Sequence, residues 1–235
     1  MSDYTLVLEI DSASLNIIKA AQLNITIAKP VSTSTPNVTW LVFDPFQQNT
    51  VEWTEQYGIY ASPSSVLTNG AVISRLSEVF PAHDAAYYTF TSSATFSGPN
   101  TGAGAPSTGT FQVNNDMPNT SYSALTFGLE QAASINGTGI QASPLNAAVV
   151  PAAFSATFTP LTTVYVWLQA NLQSGTVITQ VISKAAIVTF GGSVTKQVLK
   201  YNPATGTFVP TGPSGNLLSF DELDHVKLFK PSGVH

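Results

Sequence analysis

Apolar and polar residues alternate along most of the chain. Successive strand residues point to opposite faces, so this period of two predicts strands. Tyr4-Thr5-Leu6-Val7-Leu8-Glu9 opens as one. Leu23, Ile25 and Ile27, alternating with Asn24 and Thr26, form a half-buried second. Residues 11–21 between them allow a short helix, with Asp11 or Ser12 as N-cap and Leu15, Ile18 and Ala21 on one face. Residues 29–36 read as a loop and 38–43 as a strand ending at the Asp44-Pro45 turn. Residues 50–53 and 57–60 look like a strand pair, 72–80 are mixed, and 87–96 carry the aromatics and threonines that suit a strand. Residues 97–109, rich in Gly, Pro, Ser and Thr, predict a long mobile loop with the same composition on either side, hence no domain boundary. Further strands are expected at 111–113, 124–129, 154–158, 164–168, 177–182, 187–190 and 194–199, with Gly191-Gly192 as a hairpin turn between the last two. Residues 202–206 form another turn, leading to Phe208. Residues 134–150 show no assignable pattern, and 220–229 read as a short helix or an edge strand.

Many short strands at 8–12-residue spacing predict an all-β fold. The expected form is an antiparallel β-sandwich, jelly-roll or immunoglobulin-like, spanning residues 1–235 as one domain with one short helix near the N-terminus. No fixed-period repeat supports a propeller or solenoid. A chain of 235 residues buries about 70% of its unfolded surface, enough to fold without a staple.

Composition narrows the partners. Only 9% of residues are charged, against roughly 25% in an average domain, so Ser, Thr, Asn and Gln must supply the polar surface. Such a surface repels its neighbours little and favours self-association or glycan contact over ionic partners. The eight basic residues are scattered and the net charge is −5, which disfavours nucleic acid and anionic membranes. No cysteine is present, excluding a disulfide framework, thiolate metal sites and a cysteine nucleophile. The first residues lack the basic and apolar regions of a signal peptide, and no apolar run is long enough for a transmembrane segment. The expected location is cytoplasmic, or secreted without a signal peptide. The sequons at Asn24, Asn37, Asn119 and Asn136 are then chance features of a chain rich in Asn, Ser and Thr.

Known chemistries find little support. The histidines, His83, His225 and His235, are dispersed, and Gly212-Pro213-Ser214-Gly215 lacks the nucleophile-elbow spacing. His83-Asp84 are neighbours that a strand would point apart, so His83 reads as a surface-loop residue. Asn114-Asn115-Asp116 reads as a turn rather than a calcium site. Asp221, Glu222 and Asp224 lack the spacing and glycine of a calcium loop. Glu52 and Glu55 flank Trp53, a sugar-site flavour, but a spacing of three does not share a strand face. Gly102-Ala103-Gly104 has neither a following helix nor a lysine to hold phosphate. No metal or cofactor is expected.

The remaining signal is aromatic. Trp40 and Trp167 sit inside apolar runs and read as core, as do most strand aromatics. Trp53, Tyr57 and Tyr60 lie among Glu52, Glu55 and Gln56 and are the expected exposed, ligand-binding set.

The order of segments resembles the RhiA-like rhizosphere-induced proteins. Thr39-Trp40-Leu41-Val42-Phe43, Thr50-Val51-Glu52-Trp53 and Tyr57-Gly58-Ile59-Tyr60 carry the opening. Tyr87-Tyr88-Thr89-Phe90, Gly109-Thr110-Phe111-Gln112-Val113, Ala124-Leu125-Thr126-Phe127-Gly128, Phe158-Thr159-Pro160 and Val164-Tyr165-Val166-Trp167 continue it. The likeness covers roughly residues 38–209; residues 15–21 and the C-terminal tail depart from it. It implies a cysteine-poor β-sandwich and brings no catalytic residues. The functional expectation is a non-enzymatic interaction protein that binds carbohydrate-like ligands or assembles with itself through a neutral surface. The alternative is a pore-forming, toxin-like β-protein inserting residues 177–190 or 15–21.

Overall fold

The computed structural model describes residues 3–33, 35–179 and 184–211. Strands are numbered β1 to β17 in chain order. The largest sheet runs β17 (Thr207–Pro210), β16 (Lys196–Asn202), β1 (Asp3–Glu9), β4 (Gln48–Thr54), β10 (Ala124–Ile135), β5 (Gly58–Ser62) and β6 (Ser77–Val79). β11 (Thr138–Pro144) and β12 (Ala148–Pro151) also pair with β10. A second sheet orders β13 (Ser155–Phe158), β9 (Phe111–Asn115), β7 (Ala86–Phe90) and β8 (Phe96–Asn100). The third orders β15 (Ala186–Thr189), β14 (Thr163–Gln169), β2 (Asn24–Ala28) and β3 (Leu41–Phe43).

The protein is mostly β, with one helix among the described residues, α1 (Ser12–Ala20). Asp11 caps it by accepting the Ala13 and Ser14 backbone N–H groups, each at 3.0 Å. Ile18 buries beneath the helix and Leu15 packs beside it, while Ala21 is exposed.

Several expectations are corrected. Two of the three sheets are mixed: β1 pairs with β16, and β7 with β9, in parallel, whereas the third is antiparallel. The strands at 50–53 and 57–60 do not pair with each other, because β10 lies between them. Residues 96–100 form β8, so the loop starts only after Asn100. β2 is buried on both faces, since Thr26 and Ala28 are as enclosed as Ile25 and Ile27. Gly191-Gly192 makes a local turn with positive φ at both glycines, yet it joins two sheets rather than closing a hairpin. Residues 134–150 hold the end of β10, then β11 and the start of β12. Of residues 177–182, Val177 makes only an isolated bridge, and 180–183 lie outside the described residues, as does the tail at 220–229.

The three sheets share one hydrophobic cluster. Alternation decides which side chains enter it. Leu6 and Leu8 of β1, Leu125, Phe127 and Leu129 of β10, and Ile59 of β5 face inward. They meet Ile25, Ile27, Val164 and Val166 from the third sheet and Tyr88, Phe90 and Val113 from the second. The intervening residues of β5 and β10 occupy the other face. There Tyr60 lies across Gly128, where a Cβ would strike the Tyr60 ring and the Asn146 carbonyl oxygen. The Tyr60 hydroxyl donates to that same carbonyl. A satellite cluster of Ala28, Tyr165, Trp167, Ile178 and Ile187 backs the third sheet.

Candidate functional site

Lys29 is the last place composition would put a charge. It follows β2 directly, and its side chain is 1% exposed. Three aromatic rings surround the ammonium: Trp40, Trp53 and Tyr57, with centroids 5.2, 5.3 and 5.5 Å from Nζ. Ring faces attract a cation through their quadrupole, most strongly when water is excluded. Nζ donates to Gln131 Oε1 at 2.7 Å and lies 3.5 Å from Glu55 Oε1. Gln131 is fixed in turn, donating from Nε2 to the Thr54 carbonyl at 2.7 Å. Its own backbone carbonyl accepts the Trp40 indole N–H at 2.9 Å. Burial pulls the Lys29 pKa down to about 8, against the opposing pull of Glu55.

Glu55 stands at the boundary between this cage and solvent, with its side chain 22% exposed. Oε1 is buried toward Lys29, and Oε2 accepts the Tyr57 hydroxyl. Burial, and then Glu55, push the Tyr57 phenol upward, so it stays a hydrogen-bond donor.

Above the cage opens a cleft of about 460 Å³. Its floor is Tyr57 and Phe111, whose rings meet edge to face at 5.9 Å. Pro81, Ala82 and Pro160 add apolar wall, and Glu55, Gln56, His83 and Asp84 supply the polar rim. Backbone bonds set that rim. The Ala82 N–H donates to the Tyr57 carbonyl at 2.8 Å, and the His83 N–H to the Tyr88 hydroxyl at 2.7 Å. Asp84 Oδ2 accepts the Gly109 N–H at 2.7 Å, tying the β6–β7 link to the start of β9. A cleft of this size with an apolar floor and few polar groups is what a small-molecule site requires. A second cleft, of about 570 Å³, lies beside α1 and is lined in part by Lys19, Asp44 and Phe46. Its aromatic residue, Phe46, is exposed and already has the Lys19 ammonium 5.2 Å from its ring.

The expected exposed trio needs correction. Trp53, Tyr57 and Tyr60 are 4%, 5% and 0% exposed. Their polar neighbours alternate to the other face or turn inward, so local polarity did not report their exposure. Trp53 packs on Trp40 at 5.5 Å and on Phe190 at 4.9 Å. Tyr60 belongs to the opposite face, and only Tyr57 reaches the cleft. Trp40 and Trp167 are core, as expected. His83 and Asp84 sit in an exposed link, and both line the cleft. Asn114 and Asn115 belong to β9, where buried Asn115 donates to the Val150 carbonyl at 2.9 Å, while its Oδ1 accepts the Met117 N–H at 3.2 Å as the chain turns after the strand. Asp221, Glu222 and Asp224 lie outside the described residues. Among the described residues no group of three or more His, Asp or Glu side chains gathers as a metal site would.

Sequence reasoning passed over Lys29, Gln131, Phe111 and Glu130. A signal existed for each polar one. Lys29 is a lone charge between Ile27-Ala28 and Pro30-Val31, and Glu130-Gln131 interrupts an apolar strand.

Comparison with family models, with curated proteins and with solved structures yields no match. The likeness to the RhiA-like proteins therefore rests on the quoted segments alone.

Proposed function

We propose that this chain is a non-enzymatic binding protein whose cleft takes a small carbohydrate-like ligand. One observation carries the reading: an aromatic floor of Tyr57 and Phe111 beneath a rim of Glu55, Gln56, His83 and Asp84. A sugar ring offers apolar C–H faces to the first and hydroxyl groups to the second. Glu55 and Asp84 are held by hydrogen bonds to Tyr57 and Gly109, so little ordering cost falls on these two in binding. The scaffold in this reading is a layered β-sandwich with the cleft at the ends of its strands. Isothermal titration with neutral disaccharides tests it. The expected result is saturable binding that is lost in His83→Trp, which fills the cleft from an exposed link. Absence of heat and of tryptophan fluorescence change across the panel refutes it.

Self-association is a second reading, favoured by the exposed apolar side chains Val66, Val72, Leu76 and Phe80 along one segment. Analytical ultracentrifugation at rising concentration tests that reading, and a monomer throughout removes it.

A further inference from the structure

The charges around the cleft say more about the ligand than its shape does. Two carboxylates, Glu55 and Asp84, line it, and among the described residues no lysine or arginine does. The nearest ammonium, Lys29, is sealed beneath the floor and faces Glu55 from inside. Glu55 is thus largely balanced, whereas Asp84 is not. Asp84 is exposed, one of its oxygens accepts a backbone N–H, and no ion pair engages it among the described residues. An anionic ligand would meet two carboxylates on this rim, with His83 as the basic side chain among the described lining residues, which selects against it. A cationic ligand would find Asp84 on the rim and the faces or edges of two aromatic rings below. The molecule already shows that this aromatic cluster accepts an ammonium, because the Tyr57 ring is shared between the Lys29 cage and the cleft. The net charge of −5 favours approach of a cation as well.

The geometry points to an aminated, cationic sugar as the preferred ligand of the cleft, with Asp84 as the residue that reads the ammonium. This rests on the carbohydrate reading above and narrows it. The test compares three disaccharides of one backbone by titration calorimetry at pH 6.5 and low salt: the glucosamine disaccharide, its N-acetylated counterpart and cellobiose. The glucosamine form should bind about tenfold tighter than either neutral form, a difference of about 1.4 kcal/mol. Asp84→Asn keeps an acceptor for the Gly109 N–H and should shrink that preference to about twofold, read as the ratio of charged to neutral sugar affinity within the same variant. Raising the salt to about 0.5 M should erode the preference in the wild type, since an exposed charge contact is screened. Equal affinity for all three sugars, or a preference that survives Asp84→Asn, overturns the inference and leaves the carbohydrate reading standing. Failure of all three to bind overturns both.

Discussion

Glu130 and Gln131 are neighbours on β10, and alternation sends them to opposite faces of the largest sheet. Each meets a buried charge, by different means. On the inner face Gln131 helps to enclose the Lys29 ammonium completely, inside three aromatic rings and against Glu55. On the outer face Glu130 is itself the buried charge, at 0% exposure. It is reached from outside by Arg75, whose guanidinium lies 2.6 Å from Oε2 and also 2.8 Å from Glu78. Arg75 donates further to the Ala142 carbonyl at 3.0 Å. The other oxygen, Oε1, is buried with no hydrogen-bond partner. Burial pushes Glu130 up to about 7, although Arg75 opposes the shift. The inner charge therefore keeps its ionised form at neutral pH, and the outer one is poised to lose it. Both environments disfavour the charged form to a similar extent; the cation survives at pH 7 because a lysine starts from 10.5 and a carboxyl from 4.5.

Breaking the inner site should have the largest effect. Lys29→Met leaves Gln131 Oε1 without its donor and Glu55 without its counter-charge. The expected loss is about 3 kcal/mol in urea unfolding at pH 7, the scale for removing one partner of a buried pair. Adding Glu55→Gln should recover part of that loss, because the orphaned charge is then removed too.

The pH dependence should separate the two sites next. Lys29 titrates at about 8 when folded and near 10.5 when unfolded. Between those values the unfolded chain holds a proton that the folded chain has released, so stability rises with pH. From pH 8 to pH 10 the gain is about 2–3 kcal/mol. Above about pH 10, tyrosines ionise in the unfolded chain, while Tyr57 and Tyr60 stay protonated in the fold, which reverses the slope. Unfolding curves at stepped pH check this, and Lys29→Met should lack the rise.

Two smaller changes probe the outer site. A Cβ at Gly58 would come within 2.8 Å of Glu130 Oε1 and 2.7 Å of the Phe80 ring. Gly58→Ala should cost about 1–3 kcal/mol by overpacking, measured as the shift in urea midpoint. Glu130→Gln should change stability at pH 7.5 by less than about 1 kcal/mol, since Arg75 keeps Glu78 and an amide oxygen. Its mark is a flatter profile. The folded pKa of Glu130 lies above its unfolded value near 4.5. Its stabilising contribution is therefore full below that value and fades as the pH rises through about 7. The variant should lose that decline.

Sequence pattern alone carried much of the scaffold. Period-two alternation located β1, β2, β9 and β14, and the Asp11 cap placed α1, because those signals are local. Partnering is not local. Nothing near residues 50–60 announces that β10 inserts between β4 and β5, or that β16 returns parallel to β1. The site was legible in part. Tyr57 was marked for its aromatic ring beside Glu55, and both do line the cleft. Its burial was missed because Lys29, 28 positions earlier, supplies the charge that turns Glu55 inward. Phe111 and Asp84 join the site only through the pairing of β7 with β9 and the Asp84–Gly109 bond.

The cleft over the Lys29 cage is the proposed ligand site. Amide chemical-shift mapping during titration with the glucosamine disaccharide tests it most directly. Saturable shifts are expected, confined to Gln56, Tyr57, Ala82, His83, Asp84, Gly109 and Phe111. Shifts centred instead on the α1 cleft at Lys19 and Asp44, or no saturable shift anywhere, contradict it.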